Sequence, residues 1–142
     1  MTLLKENNIS PDKIPDLLLE HAINPTAQRV EIAKVLLARQ QHMSAGQVLA
    51  RVNKRKAVAS KATVYNTLKL FAEKGLVRQL IIESDKVFYD SNTALHHHFY
   101  NEDTGMLQDI DADKMVITNL PKLPEGTVNS GVDVIIRVKH KA

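Results

Sequence analysis

The chain is 142 residues long, 44% hydrophobic, with a formal net charge of +3 and no cysteine. That length suits one domain of common size or two small ones sharing a core. The missing thiol excludes disulfides, thiolate zinc sites and thiol redox chemistry, leaving nitrogen and oxygen as the only donors for a bound metal. No apolar run approaches the ~18 residues a bilayer span needs, and "MTLLKENNISPDK" lacks the pattern of a signal peptide, so a cytoplasmic protein without a membrane partner is expected.

In chain order, the first predicted element is a helix over residues 29–37, with Val30, Ala33 and Leu37 at helical spacing. "NPT" precedes it, where Asn24 or Thr26 caps and Pro25 suits a first turn. After a loop "ARQQHM", Ser44 with Gln47 three residues on makes a capping box for a helix ending near Val52. "RVNKRKAVASK", from Arg51 to Lys61, then holds five basic residues and no acidic one, a footprint for an anionic polymer. Charge is polarised along the whole chain: 14 Lys/Arg face 9 Asp/Glu through Asp90, and 5 face 7 beyond it.

Ser60 caps the next predicted helix, in which Val64, Leu68 and Phe71 recur at i, i+4, i+7 and Gly75 supplies a left-handed stop. Its opposite side presents Ala62, Tyr65, Asn66 and Lys69. Residues 77–82 and 87–90, separated by "ESDK", read as a two-stranded ribbon. Helix, helix, turn, helix and hairpin in that order is the winged helix-turn-helix pattern, with the third helix entering a major groove of double-stranded DNA. Tyr65 can lie on a thymine methyl, Asn66 can pair with an adenine edge, and Lys61 and Lys69 can meet phosphates. Thr63, Arg55 and Lys56 belong to the same DNA-facing surface.

Beyond residue 94 two strands, 95–101 and 106–110, flank the turn "EDTG". "DADKMVITNL" reads as a short helix and "GVDVIIRVK" as a strand over residues 131–139. So small a sheet is marginal alone, and pairing with a second copy as a homodimer is the remedy. The fold class is α+β: a winged helix-turn-helix over residues 1–91, then a small α/β dimerisation and sensing domain over 92–142. Within "ALHHHFYNED" alternate strand residues share a face, so His96 and His98 point together and His97 points away.

"PTAQRVEI", "HMSA", "KATVYNTLKLFAEKGLV" and the histidine cluster resemble the ferric uptake regulator superfamily of metal-responsive transcription factors. "YNTLKLF" and "FYDSNTALHHHFYNEDTG" are most similar to its iron response regulator branch. The resemblance covers roughly residues 20–140. It implies a dimeric regulator of iron and haem homeostasis on palindromic, AT-rich operators. It also implies a sensory metal site, which position by position falls on His42, Glu83, His96, His98 and Asp109.

Three imidazoles and two carboxylates suit Fe²⁺, Mn²⁺ or Zn²⁺ rather than a soft ion. Since these residues come from both domains, metal capture would select a hinge angle. The cysteine pairs with which many members hold a structural zinc are absent, and a second metal site found in many members is broken here, with Leu95 and His97 at two of its ligand positions. The branch also implies haem, for which His96, His97 and His98 are the candidates. Asp109 in place of glutamate is reminiscent of the peroxide-sensing branch, in which ferrous iron oxidises its own histidine ligands. No nucleophile or glycine-rich phosphate loop accompanies these ligands, so an enzyme is not expected.

Overall fold

The computed structural model describes residues 9–142 as two compact units, one ending at Ala94 and the other spanning Leu95–Ala142. In the first unit the helices are α1 (Ile14–Glu20), α2 (Ala27–Leu37), α3 (Ala45–Val52) and α4 (Lys61–Glu73). The strands are β1 (His42–Ser44), β2 (Arg78–Glu83) and β3 (Lys86–Asp90).

Local chemistry sets most of these limits. The Arg29 N–H donates to Thr26 Oγ1 at the start of α2. Around Ser44 the full capping box forms, with Gln47 N–H on Ser44 Oγ and Ser44 N–H on Gln47 Oε1. Thr63 N–H donates to Ser60 Oγ to open α4, and Gly75 ends the helix at a φ of 77° that only glycine adopts without strain. Val64, Leu68 and Phe71 are fully buried in a core shared with Leu17, Leu18, Ile32, Leu36 and Val48. Each large side chain so buried contributes about 1.5–3 kcal/mol.

Helix α1 was not anticipated, although Ile14, Leu17 and Leu18 stand at i, i+3, i+4 behind a first-turn proline and are buried. Nor was β1, which lies in the stretch expected to be a loop. It is only three residues long, and a pattern of that length carries no periodicity. Its place comes from the tertiary fold: β1 pairs antiparallel with β3, which also pairs with β2, giving the order β1-β3-β2.

The second unit is a three-stranded sheet in the order β5-β4-β6, from β4 (His96–Asn101), β5 (Leu107–Asp111) and β6 (Ile135–Val138). Strands β4 and β5 are antiparallel, turned over Asn101, whose Oδ1 accepts from the N–H groups of Asp103 and Thr104. Strand β6 runs parallel to β4, so the chain crosses over between them through residues 112–134.

That crossover is where two expectations fail. In place of a helix over "DADKMVITNL" there is one 3-10 turn, Ala112–Lys114, with no side-chain cap, and Met115 is already extended. Val116, Ile117 and Thr118 are three β-branched residues in a row, and Val116 is exposed, so neither propensity nor packing supports a helix. The last strand is shorter than the apolar run suggested, because its ladder with β4 begins only at the His98–Ile135 pair. No helix among the described residues is long and apolar enough to cross a membrane.

Candidate metal centre and nucleic-acid interface

In the second unit the sheet brings three metal-competent side chains together. His98 stands opposite Asp109 across the β4–β5 ladder and His96 opposite Asp111, so His96 and His98 share the face on which Asp109 projects. His98 Nε2 lies 3.3 Å and His96 Nε2 3.7 Å from Asp109 Oδ1, and the imidazole centroids are 4.6 Å apart. One donor atom from each of the three lies within 4.8 Å of the others. Both histidines are buried, and Asp109 is exposed. Two imidazole nitrogens and a carboxylate converging on one point form the donor set of a borderline divalent cation, and the residues present fit one.

His97 points the other way, as strand alternation requires. It is buried, and its Nδ1 accepts the Val134 N–H at 3.1 Å, tying the crossover to β4. The triplet divides into a pair that faces Asp109 and a histidine that accepts a backbone N–H.

The first unit holds a second grouping. His42 of β1 stands opposite Asp90 of β3, and Asp90 in turn stands opposite Arg78 of β2. Three ionisable side chains therefore form one row on one face of the sheet. Ser91 fixes the register: its N–H donates to Gln41 O, its Oγ accepts the Gln41 N–H, and Gln41 Nε2 reaches Val35 O and Leu36 O at the end of α2. The His42 ring meets Phe88 edge-on at 6.5 Å. Asp90 is buried, and its Oδ1 accepts the Asn92 N–H.

Glu83 is elsewhere. It sits at the turn end of the β2–β3 hairpin, opposite Lys86, whose Nζ is 3.6 Å from its carboxylate. Asp90 lies four residue steps along β3 from that pair, a distance of roughly 13 Å at ordinary strand rise. The structure therefore does not bring Glu83 beside His42; the carboxylate in that place is Asp90. The sequence reading took Glu83 from the family resemblance and did not weigh Asp90. The available signal was an acidic strand end preceding the histidine run by six residues.

On α4 the residues expected to face DNA are outward. Tyr65, Asn66, Lys69, Lys61 and Ala62 are exposed, with the Lys61 ammonium 5.5 Å from the Tyr65 ring centroid, a cation–π contact. Thr63 is half-buried, and its Oγ1 accepts from Ser60 Oγ, so its side chain serves the cap. Arg55 and Lys56 are exposed on the loop before α4.

Residues 20–125 match the ferric uptake regulator family. Among curated relatives, the ferric uptake regulation protein of Synechococcus elongatus is 38% identical over 77 residues, 53% of this chain and 52% of that protein. The peroxide-responsive repressor PerR of Staphylococcus epidermidis is 28% identical over 92 residues, 65% of this chain and 61% of that one. The chain thus spans about half to three-fifths of the length of the curated relatives it matches. Among solved structures, the ferric uptake regulator of Pseudomonas aeruginosa with manganese superposes at a TM-score of 0.67. It is 25% identical, covering 91% of this chain and 98% of that one.

Proposed function

The chain belongs to the ferric uptake regulator family, and on that premise we propose that it is a DNA-binding transcription regulator whose operator affinity is set by a divalent metal. The observation that carries the reading is the convergence of buried His96 and His98 with exposed Asp109 on one point of the sheet face. A structural pair of histidines would not need a third donor aimed between them.

The first unit is read as a winged helix: α4 is the recognition helix, the β2–β3 hairpin the wing, and Tyr65, Asn66 and Lys69 the contacts to bases and phosphates. The second is read as the dimerisation unit. Val116, Leu120 and Val128 are exposed on the crossover, apolar surface that a second copy would cover. A dimer reads a palindrome.

The ion would be held by His96, His98 and Asp109, with His42 and Asp90 recruited from the first unit. Bound there, the metal supplies a positive charge that neutralises the two carboxylates. The residues do the rest. His96 and His98 are fixed by the β4 ladders, and His42 and Asp90 by the Ser91–Gln41 hydrogen bonds. Drawing both sets into one shell restricts how the units move against each other. That shifts DNA affinity only by the difference in metal affinity between the two states, ordinarily about 1–3 kcal/mol.

A metal is preferred to haem as effector because His96 and His98 already share Asp109, and His97 has one nitrogen committed to Val134. Haem titration tests the alternative: a Soret band lost on replacing all three histidines by alanine would favour the haem-sensing branch. A second reading, peroxide sensing, is favoured by both carboxylates of the proposed shell being aspartates and by the similarity to PerR. Gain of one oxygen on His42 or His96 after peroxide treatment of the iron-loaded protein, followed by mass spectrometry, supports it; unmodified histidines exclude it.

The deciding experiment for the principal reading is selection of bound sequences from random duplex DNA with and without Mn²⁺ or Fe²⁺. A palindromic consensus enriched only with metal is expected. No enrichment in either condition would remove the regulator reading.

A further inference from the structure

We propose that the first unit carries a small-molecule site distinct from both the metal centre and the DNA-reading helix, and that its ligand is a nucleoside polyphosphate. A cavity of about 610 Å³ opens between the C-terminal half of α2, the end of α3 and the loop that follows α3. That volume lies within the range of ordinary ligand pockets, ~300–1,000 Å³.

The lining divides by chemistry. Val35, Val52 and Val58 supply apolar surface, while Lys34, Arg51, Lys54, Arg55 and Lys56 supply five cations against one carboxylate, Glu31. Glu31 is already held by Lys34 Nζ at 3.2 Å. Among the described residues Arg51, Lys54, Arg55 and Lys56 take part in no ion pair. Four like charges gathered around one concavity repel one another, and an anion received among them would offset that repulsion.

The loop is built to hold that arrangement. Asn53 closes it from both sides: its Oδ1 accepts the N–H groups of Val58 and Ala59, and its Nδ2 donates to Ala59 O. Gln28 Nε2 on α2 donates to Val58 O. Lys54, Arg55 and Lys56 thus ride an arch fixed before any ligand arrives, which lowers the ordering cost of binding. Guanidinium groups at Arg51 and Arg55 are suited to bidentate contacts with phosphate oxygens.

A free ligand is favoured over DNA backbone by shape. No residue of α4 lines the cavity, and a duplex, whose major groove alone is ~12 Å wide, meets ridges rather than the floor of such a recess. Phosphates alone would leave the apolar lining of Val35, Val52 and Val58 unused. An anion with a flat, weakly polar body, as in a nucleotide base, uses both parts.

The test is calorimetric titration of the full chain, freed of divalent ions so that chelation cannot mimic binding, with ATP, pyrophosphate, adenosine and a random-sequence duplex. Saturable one-to-one binding is expected in the order ATP, pyrophosphate, adenosine. In an Arg51→Gln/Arg55→Gln double variant ATP affinity should fall at least about tenfold, while Tyr65→Ala should bind ATP as the parent does. Circular dichroism establishes that the double variant is folded; if it is not, Lys54→Gln/Lys56→Gln replaces it with the same expectation. The proposal is overturned if ATP binds no better than adenosine, if folded variants bind ATP unchanged, or if these substitutions weaken only duplex binding, which would assign the cations to DNA phosphates.

Discussion

His42 and Asp90 face each other across the β1–β3 ladder, one at the start of a three-residue strand and the other at the end of its partner. The pairing puts an imidazole beside a buried carboxylate at one end of the first unit's sheet, and Asp90 lies four residues before that unit ends at Ala94. It also sets Asp90, rather than the Glu83 that the sequence reading assigned, beside that imidazole.

Asp90→Asn is expected to weaken Mn²⁺ binding at least about tenfold, the lower range seen for disturbing the surroundings of a metal ligand. Glu83→Ala should leave it within about threefold, since Glu83 is committed to the Lys86 pair at the far end of the hairpin. Isothermal titration of the two variants checks this; the reverse ranking would restore Glu83 as the ligand.

Replacing His98 by alanine removes the imidazole closest to Asp109. Metal affinity should fall by more than about 100-fold, beyond what loss of an outer partner costs, and thermal stabilisation by Mn²⁺ should vanish. His97→Ala should instead lower stability in the absence of metal by roughly 0.5–1.5 kcal/mol, because the part-buried Val134 N–H loses its acceptor. Denaturant unfolding with and without Mn²⁺ separates the two behaviours.

If α4 is the recognition helix, Asn66→Ala should cost about 1–3 kcal/mol of discrimination at one operator position. Lys69→Ala should weaken binding to all sequences alike and lower the slope of log K against log salt by about one. Titrations at several salt concentrations distinguish base reading from phosphate contact. Equal effects from both substitutions would mean that α4 does not enter a groove.

Phe71→Ala should destabilise the first unit by about 3–5 kcal/mol, the usual range for deleting a fully buried ring. Ser60→Ala, which removes the α4 cap, should cost about 1 kcal/mol. Urea unfolding followed by circular dichroism measures both.

The elements legible in the sequence were those whose signals are local. The caps at Thr26, Ser44 and Ser60, the glycine stop at Gly75 and the apolar stripe of α4 each act within one or two turns. Strand alternation likewise separated His96 and His98 from His97, because a period of two needs only neighbouring residues. What stayed hidden depends on pairing between distant segments. Strand β1 exists only because β3, more than forty residues later, supplies its ladder. Asp90 rather than Glu83 stands beside His42 because of that same register. The helix expected after β5 failed for the opposite reason: its apolar residues find no core to pack against, and three β-branched residues in succession leave the backbone extended.

The most direct measurement of the central claim is operator affinity with and without Mn²⁺ for the parent chain, His98→Ala and Asp90→Asn. If one ion engages ligands from both units, the parent should show a metal-dependent change of roughly 5–150-fold, and both variants should show none. A full metal response surviving in Asp90→Asn while lost in His98→Ala would mean that the ion acts within the second unit alone. A response unchanged in both would mean that this cluster is not the sensor.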